Sequence, residues 1–188
     1  MLILASQSPR RREILATAGY VFNVARPAVE ERPRPGEPAA DYVERLARAK
    51  ALAVEARADD WVLAADTTVV CGGRILEKPS SPSEAMAMLK LLSGRDHEVL
   101  TGVCLRHQGY SWSLVESTRV WFDQLTEKEI ASYIATGEPM DKAGAYGIQG
   151  LAAKFIPRVE GCFFNVVGLP VARVRRLLAA AGYLPSQR

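Results

Sequence analysis

The run Trp61–Cys71 sets the strongest limit on what this chain can become. Its sequence, WVLAADTTVVC, is apolar and β-prone almost throughout and carries one acidic residue, Asp66. A strand of that composition has no face suited to water, so it belongs in the middle of a sheet with both faces covered. Helical segments interleave with strand-like ones on either side of it, which is the pattern of an α/β protein.

Leu2–Ala5 reads as a short buried strand, and Tyr20–Val24, His97–Arg106, Tyr110–Phe122, Lys154–Val159 and Cys162–Val167 as others. Gly72-Gly73 turns the central strand back into Arg74–Glu77, and Gln108-Gly109 joins the two long later strands. Hairpins of this kind make the sheet mixed. Helices are expected to open at Ser8-Pro9, near Pro38, at Ser81-Pro82-Ser83-Glu84, at Thr126-Glu127-Lys128-Glu129 and at Pro170. Three of these starts have a serine or threonine cap, two in the pattern of a capping box, and four place proline at or near the first helical position. The helix from Pro38 is expected to run to about Ala58, and Arg26–Pro38 before it to be a proline-rich surface loop. The 188 residues suit one domain, residues 1–188, of two lobes sharing a core.

Composition narrows the function classes. A net charge of +3 is too small for a general nucleic-acid or membrane binder. No stretch reaches the roughly 18 apolar residues of a membrane span. Cys71, Cys104 and Cys162 are odd in number and far apart, against a disulfide framework or zinc site and in favour of a reducing cytosol. GxxxxGK[ST], GxSxG and HExxH are absent, and His97 and His107 are too few for histidine-based chemistry.

Five groups of residues are candidates for chemistry. At Ser6-Gln7-Ser8-Pro9-Arg10-Arg11 a strand gives way to a helix start, where backbone N–H groups, two hydroxyls and two guanidinium groups can converge on a polyphosphate. The plain alternative is a well-capped helix with a solvated basic turn. Arginine at a helix N-terminus opposes the dipole, and Arg10, Arg11 and Arg12 in succession imply an anion. Asp66 is a carboxylate inside a buried strand, which must be paired with a cation or backbone donors, or bind a metal. Glu30-Glu31, in the proline-rich loop, could join Asp66 in a Mg²⁺ site, because Mg²⁺ takes one or two carboxylates together with nucleotide phosphates. Lys50, Lys78 and Lys142, taken singly, are more simply surface lysines than ligands. The segment Gly137–Gly150 is expected to be an ordered loop whose Gly144, Gly147 and Gly150 permit close approach or positive φ, with Gln149 able to read a base edge.

At these residues the chain resembles the Maf family of nucleoside triphosphate pyrophosphatases. The resemblance rests on LASQSPRR at Leu4–Arg11, Ala65-Asp66-Thr67, Glu77-Lys78-Pro79 and GEPMDKAGAYGIQG at Gly137–Gly150, and covers nearly the whole chain. It implies a curved mixed sheet with flanking helices, two lobes around a deep cleft as in inosine triphosphate pyrophosphatases, and a cytoplasmic homodimer. It implies hydrolysis of a nucleoside triphosphate to monophosphate and pyrophosphate with a divalent metal, Mg²⁺ or Mn²⁺. Asp66 matches the catalytic proton acceptor. Ser6, Arg10, Arg11, Lys50, Lys78 and Gln149 match substrate-binding positions, with Ser8 beside them in the helix start read above for a polyphosphate, and Glu31, chosen over Glu30 by the resemblance alone, joins Asp66 on the metal. Arg10, Thr67, Gln149 and the stretch Asp141–Tyr146 are similar to the branch acting on dTTP and UTP. The family name implies a link to septum formation. A non-catalytic nucleotide- or nucleic-acid-binding regulator of that process is the alternative, and a sugar-nucleotide transferase-like protein a third. No membrane contact and no stable nucleic-acid complex are expected.

Overall fold

The computed structural model describes residues 1–184. The central strand forms where its composition requires: β3 spans Trp61–Cys71, and every residue of it except Trp61, Thr67 and Val70 is buried. Around it lie β1 (Leu2–Ala5), β2 (Asn23–Ala25), β4 (Arg74–Leu76), β5 (Asp96–His107), β6 (Tyr110–Trp121) and β7 (Arg158–Glu160). The seven-stranded sheet runs β2-β1-β3-β5-β6-β7, with β4 also on β3. It is mixed: β1 is parallel to β2 and β3, whereas β3–β4 and β6–β7 are antiparallel. The helices are α1 (Pro9–Thr17), α2 (Ala39–Leu52), α3 (Pro82–Leu92), α4 (Glu127–Ile134), α5 (Phe163–Val167) and α6 (Val171–Ala180).

The chain divides into two compact units. The first contains residues 1–66, 101–116 and 168 onward; the second contains 67–100 and 117–167. In the first, α2 lies on the sheet through small side chains: Ala47, Ala51, Ala5, Ala64, Val62 and Cys104 form one buried cluster. Small residues let helix and strand backbones come close, and Gly102 shows how close. A Cβ there would sit 2.7 Å from the backbone nitrogen of Glu44 on α2. That packing fixes the helix that carries Lys50.

In the second unit, His97 Nε2 lies 2.7 Å from the hydroxyl of Tyr146, and both rings meet Phe122 edge-on. Burial pushes the His97 imidazole down to about 4, so this contact is made by a neutral ring. Gly144 adopts a positive φ of +68°, and a Cβ on it would meet Val69 at 2.9 Å. Its N–H donates to the Glu77 carbonyl at 3.2 Å, which ties the glycine-bearing loop to the end of the β3–β4 hairpin.

Several expectations need correction. Tyr20–Val24 is a strand only from Asn23 on, and the strand runs over Asn23–Ala25. Cys162–Val167 is not a strand: Phe163–Val167 is helical. The cause is Asn165, whose buried amide donates to the Val99 carbonyl (2.9 Å) and Thr118 Oγ1 (3.0 Å), while the Cys162 N–H donates to that same hydroxyl at 3.0 Å. A buried amide needs such partners, and the chain bends to supply them. Lys154–Val159 is not one strand either. Lys154 and Phe155 end a 3₁₀ turn, Leu151–Phe155, and only Arg158–Glu160 pairs with β6. Helix α2 stops at Leu52, short of Ala58, and the Val54 carbonyl beyond it accepts from Arg106 at 2.8 Å. Of the two capping boxes, the one at Thr126 is reciprocal. At Ser81 only the hydroxyl caps, because the Glu84 carboxylate accepts instead from the N–H and hydroxyl of Ser80.

Candidate active site

The first unit assembles the carboxylates. Glu31 lies in the loop before α2, Lys50 on the last turn of α2, and Asp66 on β3. Lys50 Nζ is 2.6 Å from Asp66 Oδ1 and 2.7 Å from Glu31 Oε1, so a single ammonium bridges both carboxylates. The side chains of Lys50 and Asp66 are only 7% and 9% exposed, whereas that of Glu31 is 42% exposed, so the pair opens to solvent on the Glu31 side. The buried aspartate therefore has the cationic partner its environment demands.

The loop bearing Glu31 is pinned to the same helix. Arg45 donates from Nε to Glu37 Oε1 (2.5 Å) and from Nη2 to Glu37 Oε2 (2.7 Å) and to the Arg32 carbonyl (3.1 Å). Composition gave no hint of this clamp; only the spacing of Glu37 and Arg45 eight residues apart offered a signal. The hydrogen bonds from Arg45, then the Arg34 amide, hold the Glu37 carboxyl at about 2 against an ordinary 4.5. A depressed carboxyl pKa contributes stability that is complete above pH 4.5 and is lost as pH falls toward 2. The stability gap between wild type and Glu37→Gln, read from denaturation midpoints, is accordingly expected to be constant above pH 4.5 and to close below it.

The basic helix start lies in the same unit. Ser8 is the N-cap of α1, its hydroxyl accepting from the Arg11 N–H at 3.4 Å. Ser6 is buried, and its Oγ accepts from the Ser8 N–H (3.2 Å) and from Arg11 Nη1 (3.4 Å). Arg11 Nε donates to the Gly168 carbonyl at 2.8 Å. Burial lowers the pKa of the Arg11 guanidinium, and the charges of Asp66 and Glu31 oppose that fall, which puts Arg11 in the field of the carboxylates. The first turn of α1 carries Arg10, Arg11 and Arg12 and no acid. Ser8 is thus a cap, while Arg11 turns inward with Ser6 and Arg10 is half-buried.

Thr67, Lys78 and Gln149 belong to the second unit. Thr67 is half-buried on β3; Lys78 and Gln149 are exposed. Next to Thr67, Thr68 donates to Glu77 Oε1 at 2.9 Å. Lys142, a candidate surface lysine, instead donates to Asp141 Oδ1 (2.5 Å) and to the Glu138 carbonyl (2.7 Å).

Two carboxylates that already share a cation fit a divalent ion, because both sets of oxygens converge on one positive charge. Among the described residues, no group of three or more His, Cys, Asp and Glu side chains is arranged to hold a metal. Two carboxylates without a third protein ligand suit Mg²⁺ completed by water and phosphate better than an all-protein cage.

An α/β protein that sets a serine- and arginine-bearing helix start in the same unit as two convergent carboxylates has the parts to handle a phosphate ester and its counter-ion. The chain belongs to the Maf-like protein family, whose model matches residues 1–181. A dTTP/UTP pyrophosphatase of Koribacter versatilis (strain Ellin345) is 50% identical over 97% of this chain and 95% of its own. One of Hahella chejuensis (strain KCTC 2396) is 53% identical over 96% of this chain and 92% of its own. Among solved structures, a nucleoside-triphosphatase, or dITP/XTP pyrophosphatase, of Mycobacterium abscessus matches 100% of this chain and 99% of its own at 16% identity, with a TM-score of 0.42. No helix among the described residues is long and apolar enough to cross a membrane.

Proposed function

We propose that this chain hydrolyses dTTP and UTP between the α- and β-phosphates, releasing nucleoside monophosphate and pyrophosphate. The observation that carries the reading is the convergence of Glu31 and Asp66 on one ammonium, in a chain that is half identical to relatives named for this activity. One water is consumed. Its oxygen ends on phosphorus, the α–β P–O–P bridge breaks, and its proton passes to Asp66.

Asp66 orients the water and accepts that proton. Water is a far weaker acid than a carboxylic acid, so positioning is the larger part of this residue's work. A divalent cation, Mg²⁺ or Mn²⁺, held by Glu31 and Asp66 would lower the pKa of the water and neutralise phosphate charge. Ser6, Ser8, Arg10 and Arg11 hold the triphosphate through backbone N–H groups and guanidinium forks. Lys50 and Lys78 offset the charge that grows on the departing pyrophosphate. Thr67 and Gln149 read the base, where a pyrimidine-2,4-dione offers two carbonyl acceptors and one N–H donor, complementary to a glutamine amide. We assign the whole chain to one catalytic domain, working as a cytoplasmic homodimer.

Phosphorus NMR of the products tests the bond assignment. Equal amounts of monophosphate and pyrophosphate, lost on chelation, are expected. Diphosphate and inorganic phosphate would overturn it.

A further inference from the structure

We propose that Tyr133 and Glu138 form a clamp that fixes the segment Gly147–Leu151 and thereby sets the selectivity exercised by Gln149. The inference rests on the base-reading role given to Gln149 above. Neither side chain has a part in the phosphate chemistry, and Glu138 lies in the GEPMDKAGAYGIQG stretch without a role so far.

The clamp has two arms. Tyr133, on α4, accepts the Gly147 N–H on its hydroxyl oxygen at 3.2 Å and donates the hydroxyl proton to Glu138 Oε1 at 2.8 Å. The second carboxylate oxygen of Glu138 accepts the Leu151 N–H at 3.0 Å. The backbone amides two residues before and two residues after Gln149 are therefore held by two side chains that are bonded to each other. The Gly150 N–H closes the span by donating to the Gly147 carbonyl at 3.0 Å.

The glycines are explained by the same arrangement. A Cβ on Gly150 would lie 2.5 Å from the Glu138 carboxyl carbon, so only glycine lets the carboxylate reach the Leu151 amide. A Cβ on Gly147 would lie 2.8 Å from Lys142 Cδ, the side chain whose ammonium grips the Glu138 carbonyl. The Tyr133 ring is buried and stands edge-on to Phe155 at 5.8 Å between centroids, so its hydroxyl has little freedom to leave. Burial, reinforced by the neighbouring carboxylate, raises the pKa of the phenol, which keeps its proton available to Glu138 at any working pH. Gln149 itself is exposed. An exposed amide on a short loop discriminates bases only if its backbone cannot drift, and no contact of Gln149 itself is needed for the clamp to supply that rigidity.

Tyr133→Phe removes one oxygen and both arms of the tyrosine's contacts; Glu138→Gln keeps the volume and one acceptor. Amide hydrogen exchange on the nucleotide-free protein is the first readout, with faster exchange expected at 147–151 in Tyr133→Phe and a smaller rise in Glu138→Gln. The second is the ratio of kcat/KM for dTTP to that for CTP. It is expected to fall about tenfold in Tyr133→Phe, the cost of a loosened hydrogen bond, while kcat for dTTP changes less than its KM. In a Gln149→Ala background the same substitution is expected to leave the ratio unchanged. Unaltered exchange in Tyr133→Phe would overturn the clamp. Faster exchange with an unaltered ratio, in a protein where Gln149→Ala lowers that ratio, would overturn its link to selectivity. A Gln149→Ala variant that keeps the wild-type ratio would place the failure in the base-reading role, and the proposal would fall with it.

Discussion

Asp66→Asn is expected to lower kcat/KM for dTTP by about a thousandfold, within the range for removal of a positioned acid–base group, while leaving the protein folded. The prediction follows from the Lys50 contacts. An asparagine Oδ1 in the place of Asp66 Oδ1 can still accept from Lys50 Nζ, and Lys50 keeps its ion pair with Glu31. The packing of β3 is untouched because the two side chains have nearly the same shape. What disappears is the charge and the proton-accepting oxygen. Thermal melting and steady-state kinetics on the same preparation separate the two effects. A variant that turns over dTTP at close to the wild-type rate would remove Asp66 from the chemistry.

Lys50→Met should act the other way round, on stability before activity. Methionine fills much of the lysine stem's volume, so the loss is mainly the ammonium. Asp66 would then sit nearly buried with its cation gone, and breaking a buried pair by deleting one partner costs about 3–5 kcal/mol. Glu31 is partly exposed and adds little to that cost. For a chain of this length the melting temperature should fall by about 10 °C. A divalent ion offers the two carboxylates a replacement charge, so millimolar Mg²⁺ should recover part of the loss in Lys50→Met and do less for wild type. Differential scanning calorimetry with and without Mg²⁺ reads this without any turnover. Equal stability of variant and wild type would mean that the bridging ion pair contributes nothing.

Much of this was legible in the sequence because composition and punctuation carried it. WVLAADTTVVC could only be a doubly covered strand, and β3 has the predicted bounds. Gly72-Gly73 and Gln108-Gly109 marked the turns, both residues of each taking positive φ. Ser8, Ser81 and Thr126 cap the helices they were expected to open. The failure at Cys162–Val167 came from reading CFFNVV by β-propensity alone. The buried Asn165 amide, which needs specific partners, outweighed that propensity.

The candidate site was legible as a set of residue types and less so as an arrangement. Asp66 stood out because a lone carboxylate in a buried strand demands a partner. That the partner would be Lys50 was hidden, because Lys50 lies on a helix with an otherwise ordinary pattern, between Ala47 and Ala51, which are buried in the cluster against the sheet. Glu31 could be preferred over Glu30 only by resemblance. In the structure Glu31 meets Lys50, whereas Glu30 pairs with Arg32 at the surface. The Tyr133–Glu138 clamp was out of reach, since a tyrosine on an amphipathic helix and a glutamate after a glycine carry no joint signal in one sequence.

The most direct test of the central claim is pyrophosphate release from dTTP, UTP, CTP, GTP, 7-methyl-GTP and ATP, each with Mg²⁺ and again with chelator. Metal-dependent release from dTTP and UTP well above the other four, with monophosphate as co-product, is the result expected. Release from none of them, or from purine nucleotides as readily as from dTTP and UTP, would contradict it.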